Sequence, residues 1–379
     1  MSKPKILIFS ASFGNGHIRA AEALTEAIRS KSPSAQIIHM DFGAMLNKYF
    51  YLALKDFYIS MLKHTPRVWG GFYYGTSRIS QRSLLQRFLN SMGQNEYLKY
   101  IDAVQPDVIV CTYPTVAGVL AKLRNKRILT IPVVTVVTDY TVHSQWIHDG
   151  VDLYIVGCQE VLDGLASRGI SKSRIKATGI PVSPRFEMEL NRTDIMNRLK
   201  INTALPTILV MGGAYGVLSE LKRIVAWLAA SAQPVQTVVV CGRDQKLYAS
   251  LDEIMGSPDN PVIRFGYVNN VDELMSIADL VITKAGGLIT TESLNKKLPL
   301  LVFKPIPGQE MENAKYVARI GAGRTVQSLP ELFSTISELL ANPAQLACMK
   351  LAAANSVPGG SAGAAAQLIL RQTAAIKQK

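Results

Sequence analysis

Residues 5–17 read KILIFSASFGNGH: a short apolar run, a loop with two glycines, and the first residues of a helix-forming segment. An apolar run of this length without alternation is typical of a strand covered on both faces. The loop predicts a turn into a helix at about Gly16–Arg29. A strand, a turn and a helix in this order begin a βαβ unit, so the stretch predicts an α/β fold with parallel sheets.

The same alternation continues along the chain and then restarts. In the first half, strands are predicted at Lys5–Ser10, Gln36–Met40, Asp107–Thr112, Ile131–Val137 and Asp152–Val156. In the second half, strands are predicted at Thr207–Met211, Gln236–Cys241, Val262–Phe265, Leu280–Thr283 and Leu300–Phe303. Helices are predicted between them at Val217–Ala230, Asp244–Ile254, Val271–Ile277, Leu288–Asn295 and Asn313–Ile320. Each half therefore predicts a doubly wound sheet, whose ligands bind beyond the carboxyl ends of the strands.

Length and local composition indicate two domains. A chain of 379 residues is longer than a single hydrophobic core ordinarily accommodates. Prolines and charged residues between Pro181 and Pro206 indicate the interdomain connection. We expect an N-terminal domain over residues 1–185 and a C-terminal domain over 200–355. The remaining residues, 356–379, predict a terminal helix that crosses back to the N-terminal domain.

Composition excludes several classes of protein. Hydrophobic residues make up 48% of the chain, which excludes an intrinsically disordered protein. The four cysteines are far apart, so we expect reduced, buried thiols rather than disulfides or a metal site. No signal peptide and no transmembrane helix are predicted, so membrane contact would be peripheral. The net charge of +13 suits anionic lipid or nucleic acid, and charge alone does not choose between them.

His17 stands at the start of the first predicted helix. The positive end of a helix favours neutral imidazole, which can accept a proton from a hydroxyl group. A capping or structural histidine would occupy the same position. Gly14 and Gly16 allow a ligand to approach the backbone closely, and we place Gly16 on the acceptor side of the site.

Two glycine turns in the second half are candidate phosphate sites. The first reads TILVMGGAYG over residues 207–216, and Gly213 lies in its turn. This turn could hold a phosphate or could be an ordinary tight connection between strand and helix.

The second turn gives the strongest local signal, LVITKAGGLITTE over residues 280–292. Amides at Gly286 and Gly287 can hold a diphosphate without a metal ion. We place Thr291 in the same donor site. Glu292 can accept hydrogen bonds from both ribose hydroxyls, or it can act only as a helix-dipole carboxylate.

Polar residues follow the next predicted strand. Gln309 and Glu310 are predicted in a loop before a helix that contains Asn313. Amides and carboxylates suit contacts with sugar hydroxyls, although a solvated loop would have the same composition. No metal site is predicted, since the chain has no D-x-D, no H-E-x-x-H and no Cys/His cluster.

Candidate acceptor residues lie in the first half. His143 and Trp146 could face an acceptor, or they could be structural and core residues. Residues 45–100 contain twelve of the chain's aromatic side chains and eight Lys/Arg, against two acidic residues. Such a segment, which includes Arg67 and Trp69, suits the interface of an anionic bilayer. A helical pair that packs its aromatics internally is the alternative.

Taken together, these motifs resemble glycosyltransferase family 28, and more narrowly its branch that makes glycosyl diacylglycerols. The matching residues are Gly14–His17 with Ala20 and Ala21, Thr138 and Asp139 with His143 and Trp146, Gly179–Pro181, Gly212 and Gly213, Lys284–Gly287 with Glu292, and Pro307–Glu310 with Asn313. The resemblance implies a GT-B fold, in which two Rossmann-like domains face a central cleft. It also implies a UDP-sugar donor, no cofactor, no required metal, and inversion at the anomeric carbon.

The resemblance also assigns roles. It implies that the N-terminal domain binds the acceptor and the C-terminal domain the donor, with closure of the two domains around it. His17 would be the base, Glu292 would hold the ribose, and Gln309 and Glu310 would face the sugar. The plant enzymes have a third glycine at the position of Asn15, so the bacterial branch fits better. The related peptidoglycan N-acetylglucosaminyltransferases have Ser-Gln after the second glycine pair, where this chain has Ala214-Tyr215, so no serine contact with the donor phosphate is expected.

The expected activity is transfer of a hexose, glucose rather than galactose, from a UDP-sugar to diacylglycerol at the cytoplasmic face of the cell membrane. Three alternatives remain: an N-acetylglucosaminyltransferase acting on an undecaprenyl-linked peptidoglycan precursor, a UDP-sugar epimerase, and a nonenzymatic basic membrane-binding protein. No nucleic-acid partner is expected, because the sequence has no nucleic-acid-binding motif.

Overall fold

The computed structural model describes residues 3–77, 79, 83–212, 220–254 and 256–376. The chain divides into two compact units. The first unit comprises Met1–Pro184, Pro307–Gln309 and Pro358–Lys379, and the second comprises Arg185–Ile306 and Glu310–Val357. Each unit has its own sheet, core and set of helices.

The described part of the first unit contains a sheet of six parallel strands. They are β1 (Lys5–Ser10), β2 (Gln36–Asp41), β3 (Val108–Cys111), β4 (Val133–Val136), β5 (Leu153–Val156) and β6 (Ile175–Ala177). Their spatial order is β2-β1-β3-β4-β5-β6. From β1 the chain adds β2 on one side of the sheet and β3 to β6 on the other, so the strand order reverses between β1 and β3. Ligands of open α/β sheets bind at such a switch point.

The described part of the second unit contains another sheet of six parallel strands. They are β7 (Thr207–Met211), β8 (Gln236–Val240), β9 (Val262–Phe265), β10 (Leu280–Thr283), β11 (Leu300–Phe303) and β12 (Gly323–Val326). The order β12-β11-β10-β7-β8-β9 is that of a dinucleotide-binding Rossmann fold. Its switch point lies between β7 and β10.

Helices connect the strands in both units. In chain order they are α1 (Asn15–Lys31), α2 (Lys48–His64), α3 (Pro66–Thr76), α4 (Leu84–Leu89), α5 (Gln94–Val104), α6 (Pro114–Asn125), α7 (Gln159–Ala166), α8 (Arg192–Arg198), α9 (Leu221–Ala229), α10 (Gln245–Ser250), α11 (Val271–Ile277), α12 (Gly287–Asn295), α13 (Gln309–Arg319), α14 (Leu329–Ala341), α15 (Pro343–Ala354) and α16 (Ser361–Ile376). Within the described residues, none of them has the length and apolar character needed to cross a bilayer.

The core of the first unit is completed by the helix that comes last in the chain. Alanines on one face of α1, including Ala20 and Ala21, are buried against the sheet. Helix α16 packs beside α1 and adds Ala362, Ala366 and Ile369 to the same core. Small side chains on both helices allow a close approach, so the terminal segment is an integral part of the first unit.

The structure confirms both sheets and corrects some predicted boundaries. The edge strands β6 and β12 were not predicted, because each is short and contains a basic residue, Lys176 or Arg324. Helix α13 begins at Gln309 rather than at Asn313, so the prediction that Gln309 and Glu310 lie in a loop was wrong. Acidic residues in its first turn stabilise this helix start without an apolar stripe.

Two further local features differ from what composition indicates. The polar stretch before Pro206 contains α8, which Asn191 caps by accepting hydrogen bonds from the amides of Thr193 and Asp194. Arg192 then forms a bidentate pair with Asp279 in the second unit. Three cysteines are buried as expected, but Cys348 on α15 is exposed. That helix has only two fully buried residues, so most of its length faces solvent.

Candidate acceptor and donor sites

His17 lies at the switch point of the first sheet, in the first turn of α1. Its Nδ1 is 2.6 Å from the main-chain oxygen of Thr112, the residue that follows β3. A carbonyl oxygen can only accept, so Nδ1 must carry the proton. The Thr138 hydroxyl oxygen lies 3.1 Å from the same nitrogen. In the neutral ring, Nε2 is therefore the nitrogen with a free lone pair and is able to accept a proton.

The surroundings of His17 keep the ring neutral. Burial lowers the pKa of His17 to about 4, and the hydrogen bond with Thr112 offsets only part of this effect. The Tyr113 ring and the imidazole pack in a T-shaped arrangement, with 5.2 Å between their centroids. Burial also raises the pKa of Tyr113 to about 12, so the phenol stays neutral. At neutral pH the site therefore presents an unprotonated base in an aromatic environment.

A cavity of about 100 Å³ in the first unit opens beside His17. It brings together five residues that the sequence singled out: His17, Trp69, His143, Trp146 and Gln309. Further aromatic side chains complete its wall: Phe13, Tyr58, Phe72, Tyr73 and Tyr113. An apolar wall around one imidazole suits an acceptor with an apolar body and a single reactive hydroxyl.

Asp139 is the carboxylate of this cavity. It is buried and accepts a hydrogen bond of 2.9 Å from Nε2 of Gln309, which belongs to the first unit. Sequence reasoning did not select Asp139 as a site residue, although the pair Thr138 and Asp139 was among the matching motifs. Neither residue type is unusual after a strand, so only the three-dimensional arrangement identifies them.

His143 holds the wall of the cavity together. Its Nδ1 accepts a hydrogen bond from the amide of Gln145, so Nε2 carries the proton and donates to the main-chain oxygen of Tyr73 at 3.1 Å. The hydroxyl of Thr76 lies 3.2 Å from the same Nε2. These bonds tie α3 to the loop after β4. Both ring nitrogens of His143 make hydrogen bonds within the protein, so the geometry supports a structural role for this residue.

The remaining acceptor-side residues occupy different environments. Trp146 is buried and lies 6.4 Å from the His17 ring, so it serves the core and the cavity together. Trp69 packs against Tyr58 at 5.1 Å. Gly16 is in the first turn of α1, and Arg67 is exposed on α3 outside the cavity.

Large exposed apolar side chains are concentrated on α2, α3 and α4, which follow one another in the chain, and α2 packs against α3. No residue of α2 is buried. We define the patch by its most exposed apolar side chains: Tyr49, Phe57, Val68, Leu84 and Phe88. Lys48, Lys55, Lys63, Arg67 and Arg87 lie on the same helices. Large apolar side chains are seldom exposed in such number within one segment of a chain, so this segment indicates an interaction surface.

The glycine turn after β10 forms a helix N-terminus in the second unit. Gly286 caps α12 and Gly287 is its first residue. The preceding residue, Ala285, has φ +58, which a non-glycine residue rarely adopts. Its carbonyl accepts a hydrogen bond of 3.1 Å from Asn313 on α13. Asn313 thus fixes the turn at the switch point of the sheet, where a phosphate would meet free amides.

Other predicted donor residues lie on the same two helices. The hydroxyl of Thr291 donates to the main-chain oxygen of Gly287 at 2.8 Å, so it supports the helix start. Glu292 is half-buried in the second turn of α12. Gly213 lies outside the described residues.

Glu310 braces the loop before α13. Its carboxylate accepts a hydrogen bond of 2.8 Å from the amide of Ile306. Burial raises the pKa of Glu310 to about 7, while that bond and the nearby charge of Lys284 act in the opposite direction. Burial also lowers the pKa of Lys284. Within the described residues, no group of three or more His, Cys, Asp or Glu could hold a metal ion.

Two Rossmann-like units, each with a six-stranded parallel sheet, make up the GT-B fold, which solved glycosyltransferases and UDP-N-acetylglucosamine 2-epimerases share. Solved structures with this fold include MurG of Acinetobacter baumannii, with a TM-score of 0.65 at 16% identity over 98% of this chain and 100% of that one. The calicheamicin glycosyltransferase CalG4 has a TM-score of 0.64 at 12% identity over 99% and 100%.

Sequence comparison narrows the class to a family. Residues 17–182 match the family described as monogalactosyldiacylglycerol (MGDG) synthase, and residues 207–369 match the glycosyltransferase family 28 C-terminal domain. The chain is 33% identical to the processive diacylglycerol beta-glucosyltransferase of Bacillus thuringiensis (strain Al Hakam), over 92% of this chain and 89% of that protein. The chain belongs to glycosyltransferase family 28, in its branch of glycosyl diacylglycerol synthases.

Proposed function

We propose that this chain transfers a hexose from a UDP-sugar to the free hydroxyl of diacylglycerol, with inversion at the anomeric carbon. The observation that carries the proposal is the neutral His17 ring, whose Nε2 is available for a proton beside a cavity walled by aromatic side chains. The similarity to a diacylglycerol glucosyltransferase supports glucose rather than galactose as the sugar.

The chemical step is a direct displacement. Nε2 of His17 takes the proton of the acceptor hydroxyl while its oxygen attacks the anomeric carbon. The new bond joins that oxygen to the carbon, and the bond from the carbon to the diphosphate breaks, releasing UDP. His17 becomes an imidazolium with protons on both nitrogens, and solvent later removes the added proton.

The second unit supplies the donor site in this proposal. Amides at Gly286 and Gly287 and the N-terminal end of α12 stabilise the diphosphate as negative charge develops on it. Glu292 accepts hydrogen bonds from the ribose hydroxyls. Asn313 and Glu310 hold the two surrounding loops, through the carbonyl of Ala285 and the amide of Ile306. Asn313 and Glu310 therefore fix the conformation of the loops around the donor, in addition to any contact with the sugar.

The first unit supplies the membrane contact. The apolar patch on α2, α3 and α4 would enter the interfacial region of the bilayer, and the basic side chains around it would attract anionic lipid headgroups. The chain would thus act as a peripheral protein at the cytoplasmic face of the membrane, where UDP-sugars are available. This arrangement lets diacylglycerol reach His17 without leaving an apolar environment.

A donor and acceptor panel tests the proposal. Purified protein is incubated with vesicles of phosphatidylglycerol containing diacylglycerol and with labelled UDP-glucose, UDP-galactose or UDP-N-acetylglucosamine, and the lipids are resolved by mass spectrometry. We expect β-glucosyl diacylglycerol as the main product. Transfer to an undecaprenyl-linked acceptor but not to diacylglycerol would replace the proposal with the peptidoglycan alternative. Vesicle binding without any transfer would leave only a binding function.

A further inference from the structure

Thr138 makes a contact that the mechanism above does not yet use. It follows β4 by two residues and is 4% exposed. Its hydroxyl oxygen lies 3.1 Å from Nδ1 of His17. Because the carbonyl of Thr112 fixes the proton on Nδ1, the Thr138 oxygen can only be a second acceptor for that N–H. Two neutral oxygens thus share one imidazole N–H.

We propose that Thr138 is a positioning residue for the base, and that its hydroxyl oxygen, together with the Thr112 carbonyl, stabilises the imidazolium that forms when Nε2 takes the acceptor's proton. The inference rests on the proposed function, because it assigns His17 the role of base. It goes beyond the proposed function because it makes the turnover rate depend on the Thr138 hydroxyl, which contacts neither substrate.

The neighbouring charges explain why this hydroxyl matters. Among the described residues, no carboxylate accepts a hydrogen bond from the His17 ring. Tyr113 stays neutral, and burial lowers the pKa of His143, so that ring stays neutral too. Asp139 is the one carboxylate among the described residues that line the same cavity, and it accepts a hydrogen bond from Gln309. The positive charge on His17 in the transition state therefore relies on the two oxygens at Nδ1.

A hydrogen bond from a charged donor is stronger than one from a neutral donor. Thr138 consequently stabilises the imidazolium more than the imidazole, and it acts on turnover more than on substrate binding. Thr112 adds a second restraint, because its own hydroxyl donates to the main-chain oxygen of His17 at 2.9 Å. The ring and the backbone of the base are thereby held from one side of the sheet.

The test compares Thr138→Val with Thr138→Ser and with a matched control, Thr135→Val. Thr135 is a buried threonine on β4 whose hydroxyl has no hydrogen-bond partner within the described residues. We expect Thr138→Val to lower kcat about tenfold at unchanged KM for the UDP-sugar, corresponding to one lost charged hydrogen bond. Thr138→Ser should restore kcat to within about threefold of the natural protein, and Thr135→Val should not change it.

A second readout separates positioning from simple structural support. The titration of the His17 ring is followed by NMR of its Cε1–H group, assigned with His17→Gln. Loss of an acceptor at Nδ1 should lower the midpoint in Thr138→Val, and Thr138→Ser should return it. An unchanged kcat and midpoint in Thr138→Val, an equal fall of kcat in Thr135→Val, or no rescue by serine would overturn the inference. If the natural protein shows no transfer to diacylglycerol, the proposed function fails, while the titration still reports on the contact itself.

Discussion

Nδ1 of His17 lies 2.6 Å from the main-chain oxygen of Thr112, and the Thr112 hydroxyl lies 2.9 Å from the main-chain oxygen of His17. The two residues are 95 positions apart, and their bonds join the first turn of α1 to the end of β3. A peptide carbonyl does not titrate in the physiological range, so it selects the same tautomer of the neutral ring at every pH at which that ring is unprotonated. The base is thereby fixed in orientation without a carboxylate partner.

Replacing the base should abolish turnover while leaving donor binding intact. We expect His17→Gln to lower kcat by about 100- to 10,000-fold, the range of a lost general base. The dissociation constant of UDP, measured calorimetrically, should change less than about twofold, because the candidate diphosphate turn is in the second unit. His39→Gln is the control: this histidine on β2 is bonded to the Ser10 hydroxyl at 2.8 Å and lines no part of the cavity. Unchanged turnover in His17→Gln would remove His17 from the role of base.

His148 should make the first unit sensitive to acid. Burial lowers the pKa of His148 to about 4, and the bond of its Nε2–H to the Gln145 carbonyl offsets part of the effect. In the unfolded chain the pKa of His148 is near 6.5, so between pH 6.5 and 4 the unfolded chain binds more protons than the folded one. Stability is therefore lost as the pH falls through this window, by about 2 kcal/mol at pH 5.

Urea unfolding at pH 7.5 and pH 5 measures this loss. His148→Gln keeps a donor for the Gln145 carbonyl but does not titrate. Because burial lowers the pKa of His17 to about 4 as well, the substitution should remove about half of the difference that these two histidines produce between the two pH values. A pH dependence that is the same in both proteins would assign the acid sensitivity to other groups.

The apolar patch should determine vesicle binding. Phe57 is 62% exposed on α2, and Leu351, on α15 in the second unit, is 64% exposed. If the patch enters the bilayer, Phe57→Ser should weaken binding to anionic vesicles about tenfold, the value of one buried aromatic side chain. Leu351→Ser, which removes a similarly exposed apolar group elsewhere, should have no effect in the same sedimentation assay. Equal effects of the two substitutions would argue against a specific membrane surface on α2.

Glu292 should act on the ribose of the donor. A carboxylate that accepts both ribose hydroxyls forms charge-assisted bonds, so Glu292→Gln should raise KM for the UDP-sugar about tenfold with little change in kcat. Glu253→Gln, at an exposed glutamate paired with Lys222, is the control and should behave like the natural protein. Binding of 2′-deoxy-UDP should be less sensitive to Glu292→Gln than binding of UDP. Equal sensitivity would mean that Glu292 acts only through the electrostatics of α12.

The central strands could be predicted from sequence almost to the residue. Strands β1, β7, β10 and β11 begin and end as predicted, since a strand with helices on both faces needs mostly apolar side chains. The edge strands β6 and β12 were not predicted, because an edge strand has only one paired neighbour and tolerates polar residues. The start of α13 escaped because its stability comes from acidic residues rather than from periodicity.

The candidate site could be predicted only in part. Glycine turns and a histidine after a strand are visible in the sequence, and they identify loops at the carboxyl ends of strands. The pairing of His17 with Thr112 and Thr138 depends on the spatial order of β1, β3 and β4, which no local pattern encodes. For the same reason, sequence alone left His143 open between a structural role and an acceptor contact, and the hydrogen bonds at both of its ring nitrogens favour the structural role.

The place of α16 has a consequence for biosynthesis. Ala362, Ala366 and Ile369 cover the groove along α1, and the ribosome synthesises α1 hundreds of residues before it synthesises these three side chains. In the nascent N-terminal half this face of α1 stays uncovered until residues 361–376 have been translated. A protein truncated before Pro358 would leave the ribosome with that groove unfilled, and a chaperone or a neighbouring chain would be free to occupy it.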